Sequence, residues 1–208
     1  MNIFYIDTTS SYLYTGIVKD NILLSQCKKN LGKELSVYTV LEVNKMFEMA
    51  NLKPDDIDKI IVVNGPGSFT GIRIGVTLAK IFAWSKKIPI TEITSLEAMA
   101  KSITSEKLVV PIINARRASC WAAIYDNDNC LLNGQYLTIQ KLKLFLAGLH
   151  RDYVFVSNDE FDFETVAYDP DILNIVLAFK DRECINAHLV NPEYLKLTEA
   201  EESRINND

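Results

Sequence analysis

Two stretches of this chain gather residue types that could handle a phosphate. One is Gly65–Gly75, GPGSFTGIRIG, set between the apolar run Lys59–Asn64 and an apolar helical pattern reaching about Lys86. Backbone N–H groups at such a strand-to-helix turn attract anions. The other is the polar turn Asp7-Thr8-Thr9-Ser10-Ser11, with a carboxylate for a metal ion and hydroxyls for phosphate oxygens. Its counterpart later in the chain begins at Asn114 and carries Arg116 and Arg117. A neutral amide is a poor Mg²⁺ ligand beside a carboxylate.

The spacing weakens the phosphate reading. No Lys-Ser or Lys-Thr follows Gly71, and Gly65-x-Gly67-x-x-x-Gly71 is not a dinucleotide fingerprint. Gly65-Pro66-Gly67 makes a tight turn, and Ser68 or Thr70 can cap the helix that carries Arg73. Gly71 and Gly75 share one helix face, where another backbone can pack closely. Asp7 is better suited to bonding its own turn. Asp7, Thr8, Thr9 and Asn114 stay as candidates for a residual nucleotide cleft. His150 and His188 stand alone, and Cys27, Cys120, Cys130 and Cys184 include no C-x-x-C pair. A zinc site, a disulfide framework and Ser-His-Asp or Cys-His catalysis therefore find no support, and reduced cytosolic thiols fit better. No catalytic residue, metal or cofactor is expected.

The elements that must position these residues repeat. Strands are expected over about Ile3–Asp7, Leu13–Lys19 and Ile22–Cys27, then a helix over Lys33–Asn51 and a strand before the glycine turn. After the glycine-led helix come a short strand, Ile88–Ile93, and a helix capped by Thr94 with Glu97 in its first turn. A second cycle has strands at Leu108–Asn114, Ser119–Asp126 and Cys130–Leu137. A helix capped by Thr138, a strand at Asp152–Ser157 and a helix at about Asp171–Lys180 follow. Asp7–Ile17 and Asn114–Ile124 align without a gap. Duplicated βββαβα units of this kind describe the two-lobed α/β fold of actin, Hsp70 and sugar kinases, here with a reduced second lobe. The halves are expected to be 1–100 and 101–208, meeting near the polar stretch Lys101–Lys107, with the last segment packing back on the first lobe.

With 208 residues, 48% of them hydrophobic, one large domain or two small ones can bury real cores. No apolar run is long enough to span a membrane, and the N-terminus enters a strand pattern without a signal-peptide n-region. The net charge of −5 and the scattered Lys and Arg oppose direct nucleic-acid binding. At about 100° per residue, the apolar positions from Ile72 to Ala83 cover roughly 220° of their helix. The helix Leu35–Ala50 has no continuous polar face. Such arcs predict a protein interface, placed on Leu35, Tyr38, Leu41, Phe47, Gly71, Ile72, Gly75, Val76, Ala79, Phe82 and Ala83. A charge at Val76 or Phe82 is expected to disrupt partner binding more than the fold. Coverage of those arcs by the chain itself is the competing explanation.

The run Gly65–Gly75 after a strand resembles the signature of the bacterial TsaB (YeaZ) proteins. Asp7-Thr8 resembles that family's I-D-T start, and Thr94–Ala100 its helix after the domain-closing strand. Ala115-Arg116-Arg117 resembles its D-A-R-R turn, with Asn114 in place of Asp. Val190–Lys196 resembles its V-x-P-x-Y-L-R ending. Asn158–Ala187 departs most, lacking a glycine-containing turn. The resemblance implies an actin/Hsp70-like, non-catalytic cytoplasmic protein that pairs with a related catalytic subunit, TsaD, and with a small ATPase, TsaE. The assembly moves threonylcarbamoyl from threonylcarbamoyl-AMP to an adenosine beside the anticodon of certain tRNAs. It implies that the first two helices build the interface, to TsaD or in a homodimer, and that tRNA is met only indirectly. TsaD carries metal-binding histidines on its first long helix; here that helix has none, and Leu35 stands near where one is expected. Retained Asp7 leaves a small phosphotransferase or ATPase as an alternative, and a metal-dependent glycoprotease as a weaker one.

Overall fold

The computed structural model describes residues 1–195; Lys196, which ends the Val190–Lys196 motif, and the acidic run Glu199–Asp208 lie outside the described residues. The first lobe holds strands β1 (Asn2–Asp7), β2 (Tyr12–Lys19), β3 (Ile22–Asn30), β4 (Lys59–Val63) and β5 (Ile90–Ile93), in the spatial order β3-β2-β1-β4-β5. Pairing is antiparallel across β1–β2 and β2–β3, and parallel across β1–β4 and β4–β5. Helix α1 (Leu35–Ala50) makes the crossover from β3 to β4, and α2 (Phe69–Lys86) that from β4 to β5.

Strand periodicity assigns the two faces of this sheet. Phe4, Ile6, Ile60 and Val62 pack with α1 and α2. Ile3, Tyr5, Ile61 and Val63 point to the other face, where Ile172, Ile175, Val176 and Phe179 cover them. That cover is α5 (Ile172–Phe179), which follows the second lobe in sequence.

The second sheet consists of β6 (Leu108–Asn114), β7 (Ser119–Asp126), β8 (Asn129–Thr138) and β9 (Tyr153–Val156), ordered β8-β7-β6-β9. This repeats β3-β2-β1-β4, with α4 (Ile139–Leu149) as its crossover, and so gives the two-lobed, duplicated fold that the sequence implies. Cover is exchanged between the lobes. Helix α3 (Ser95–Lys101) follows the first sheet but sends Leu96, Met99 and Ala100 into a cluster with Val109, Ala123 and Val156 of the second. A Thr94–Glu97 capping box fixes its start.

The buried Lys59 ammonium holds α5 in place, donating to the Lys180 and Arg182 carbonyls at 2.7 Å each. Cations suit the carbonyl-rich end of a helix. Beyond α5 the chain runs as a strap along the first lobe. Ile185 pairs with Ile90, Val190 is fully buried in the core beneath α2, and Lys80 Nζ donates to Val190 O at 2.6 Å.

Candidate functional site

The glycine-led turn is seated on the Asp7 turn. Gly65-Pro66 is cis, and Gly65 has φ +123°, a backbone position that favours glycine. A Cβ on Gly71 would run into the Thr8 carbonyl oxygen, and one on Gly75 into the Thr8 hydroxyl. The close partner that this helix face accommodates is therefore a loop of the same chain. Thr8 Oγ1 donates to Gly71 O at 2.7 Å, and Ser68 N to Thr9 O at 2.6 Å. Ser68 Oγ accepts from Gly71 N at 3.2 Å and caps α2. Two backbone donors of the would-be phosphate cradle are thus already committed.

Asp7 is buried, and its Oδ1 accepts from Thr9 N and Thr9 Oγ1, both at 2.7 Å. Burial pushes its carboxyl up to about 6, against the opposing pull of the two Thr9 bonds. Asn114 makes the matching turn: its Oδ1 accepts from Arg116 N at 2.8 Å, while its Nδ2 donates to Glu160 O at 3.1 Å. Asp7, Thr9 and Asn114 all line a cleft of about 690 Å³ between the lobes, with Tyr12, Phe69 and Trp121 among its aromatic walls. Thr8 corrects the sequence expectation. It is fully buried, with its hydroxyl bonded to Gly71 O, and so cannot meet a nucleotide. Arg116 reaches the cleft wall, whereas Arg117 is not part of that lining.

The interface expectation needs a larger correction. Leu35, Phe47, Ile72, Val76, Ala79 and Ala83 are core residues at 6% exposure or less, and Gly71 and Gly75 are buried as well. Phe82 is half-buried, its ring 5.6 Å from Phe4 and 6.0 Å from Phe47. The first sheet has claimed the centre of each apolar arc, so a charge at Val76 would break the fold first. Of the expected set, Tyr38 and Leu41 are exposed.

What the sequence reading missed lies at the margins of the arcs. Val37, Val40, Met49, Ile81 and Trp84 are more than half exposed, Val37 at 68% and Trp84 at 65%. Between α1 and α2 runs a groove of about 510 Å³, lined by Val40, Ile74, Leu78 and Ile81, with Phe69 and Arg73 at one end. The spacing Thr70, Arg73, Ile74, Thr77, Leu78, Ile81 is a legible helical stripe, but periodicity cannot tell which stripe faces the sheet. At the groove's end the strap contributes Tyr194. Its ring stacks on Phe69 at 5.1 Å, and its hydroxyl accepts from Arg73 Nε at 2.9 Å. Among the described residues, no helix is long and apolar enough to cross a membrane.

Comparison with known proteins places this geometry. The family model of TsaD, tRNA N6-adenosine threonylcarbamoyltransferase, matches residues 31–156. The Bacillus subtilis tRNA threonylcarbamoyladenosine biosynthesis protein TsaB is 32% identical, over 97% of this chain and 96% of its own length. TsaB of Buchnera aphidicola subsp. Schizaphis graminum is 28% identical over 74% of this chain and 76% of its own. YeaZ from Pseudomonas aeruginosa has the same fold, with a TM-score of 0.75 at 17% identity, covering 93% of this chain and 99% of that one. A second Pseudomonas aeruginosa structure, of an uncharacterized protein with similarity to peptidase YeaZ, gives a TM-score of 0.80 at 17% identity over 94% and 99% of the two chains. This chain belongs to the TsaB (YeaZ) family and has its role in the biosynthesis of tRNA threonylcarbamoyladenosine.

Proposed function

We propose that this protein is the non-catalytic subunit of the tRNA threonylcarbamoyl transferase machinery, which binds a TsaD-like catalytic subunit through α1 and α2 and holds it in its active shape. The observation that carries this reading is the exposed apolar surface of the two helices. Val40 and Ile81 line the groove, and Val37, Leu41 and Trp84 are exposed on the same two helices. Exposed apolar surface of this kind marks a protein interface.

The two turns at the cleft support a pseudo-enzyme. Asp7 spends an oxygen on Thr9, Asn114 spends its amide oxygen on Arg116 N and its amide nitrogen on the distant Glu160 carbonyl, and the Asp7–Ser11 turn has no glycine for close phosphate approach. A net charge of −5 suits a subunit that meets tRNA only through its partners. The same helical face would pair two copies when the catalytic subunit is absent. A TsaE-like ATPase completes the cytoplasmic assembly.

The test is reconstitution of tRNA modification from the purified TsaD-like and TsaE-like proteins with and without this chain. Modification should require the chain, and Val40→Asp combined with Ile81→Asp should abolish both modification and co-purification with the catalytic subunit. Undiminished association of that double variant would refute the docking surface. The competing phosphotransferase reading requires ATP turnover by the isolated chain that Asp7→Asn removes; this proposal expects none.

A further inference from the structure

The Val190–Lys196 motif has no role in the docking surface described so far, yet its Tyr194 stands at one end of the groove. Three contacts assemble there. The Arg73 guanidinium carbon lies 3.8 Å from the Phe69 ring centroid. Phe69 and Tyr194 stack at 5.1 Å with 26° between their planes. Arg73 Nε donates to the Tyr194 hydroxyl at 2.9 Å. Stacking on a ring plane while donating in that plane is an arrangement that guanidinium allows and ammonium does not. The strap that delivers Tyr194 is itself fixed. Glu193 N donates to Asn64 O at 2.7 Å, and Lys80 Nζ holds the Val190 carbonyl at 2.6 Å.

Both partners of Arg73 are uncharged, so among the described residues its charge is not answered by a carboxylate there. It is also the one charged side chain among the described residues that line the groove; the others are apolar or hydroxyl-bearing. The stripe from Thr70 to Ile81 covers three helical turns, about 17 Å, the length of a short partner helix.

We propose that the groove reads a partner helix with an apolar face and a carboxylate at the end lying over the first turn of α2, where Phe69 and Tyr194 hold Arg73 ready for it. This rests on the docking reading above and adds what the partner must carry. A pre-oriented guanidinium meets a carboxylate with two parallel bonds, which fixes the register and direction of the incoming helix. The strap becomes part of the recognition surface through Tyr194, which acts as a positioning residue.

The experiment measures association of the full chain with its TsaD-like subunit at low and high salt. Arg73→Gln should weaken binding roughly tenfold or more and flatten the salt dependence. Arg73→Lys should restore the salt dependence but not the affinity. Tyr194→Ala should weaken binding several-fold, and Tyr194→Phe, which keeps the stack, should recover most of it. Thermal midpoints of these variants should stay near that of the parent. Ile81→Asp serves as the reference. If Ile81→Asp abolishes binding and Arg73→Gln leaves it unchanged, the carboxylate is refuted and the docking surface stands. If Arg73→Gln weakens binding with the salt dependence intact, Arg73 acts as a packed wall and the ion pair is refuted. Unchanged binding by Ile81→Asp removes the docking surface itself.

Discussion

The turns after β1 and β6 share a bond and differ in what rests on them. In each, the side-chain oxygen of the first residue accepts from the backbone N–H two residues on: Asp7 from Thr9 at 2.7 Å and Asn114 from Arg116 at 2.8 Å. Asp7, Thr8 and Thr9 of the first turn are buried, and the glycines of α2 fit against Thr8. The second is exposed, and continues through Arg116, Arg117 and Ala118 at φ of 65°, 50° and 56°. No glycine-led helix follows β9 to cover it; residues 157–171 instead form an irregular stretch with a single bridge, Val156 to Val166. The same local motif therefore walls the cleft in both lobes, and in the first lobe alone it is also a bearing for α2. Tertiary load, rather than turn chemistry, separates them.

The hardest blow to that difference is to remove the fit. Gly71→Val should push α2 off the Thr8 carbonyl and cost about 3 kcal/mol, in the upper range for overpacking. A lowered urea midpoint would register it, with loss of partner association in the same variant. An unchanged midpoint would mean that the glycine contact with Thr8 carries no load.

Converting the first turn to the chemistry of the second is the next test. Asp7 has its folded-state carboxyl raised from 3.8 to about 6, chiefly by burial, so the native state binds a proton more readily than the unfolded chain. Its contribution to stability is therefore lost as pH rises from about 4 through about 6, and the carboxylate is a burden above that window. Asp7→Asn keeps the acceptor for Thr9 and discards the buried charge. It should stabilise the protein by about 1–3 kcal/mol at pH 8 and have little effect near pH 4. Denaturant melts at both pH values measure this. Destabilisation at pH 8 would show that the charge is compensated within the native cleft.

How much of this was legible in the sequence follows the range of each interaction. Caps and strand alternation act within a few residues, and Thr94 with Glu97, Thr138 and Ser68 all cap the helices they precede. The duplication was legible because the Asp7 and Asn114 segments keep one register through strand, turn and strand. The facing of α1 and α2 was not. A wide apolar arc has one part for the sheet and another for solvent, and only the sheet's position decides that Val76 and Ala79 go in while Ile81 stays out. Thr8 was misplaced for a similar reason. Its sequence neighbours are polar, and the glycine that takes up its hydroxyl lies far along the chain at Gly71. The exchange of α3 and α5 between the sheets, and the Tyr194 stack, likewise depend on contacts that local pattern does not encode.

The reverse conversion should have a smaller effect. Asn114→Asp preserves the acceptor for Arg116 but loses the donor to Glu160 O, and it brings a second carboxylate near Asp159, which accepts from Asn114 N at 2.7 Å. Because the site is exposed and screened, the cost should be about 1 kcal/mol and should shrink with added salt. A cost as large as the gain from Asp7→Asn would mean that the two turns bear similar loads after all.

The smallest effect tests the backbone of the open turn. Ala118 has φ 56°, a left-handed conformation that costs an L-residue roughly 1–2 kcal/mol. Its carbonyl accepts from Ile139 N at 2.9 Å, so the conformation is held by the start of α4 and survives loss of the methyl group. Glycine would remove the strain and return part of the gain through the greater freedom of its unfolded chain, leaving about 0.5–1 kcal/mol of stabilisation. Thermal melts of Ala118→Gly should rise slightly, with partner association unaltered because this turn seats no docking helix. If association fell with Ala118→Gly while the melt rose, the second turn would have to belong to the recognition surface, and the distinction between the turn that bears α2 and the turn that only walls the cleft would fail.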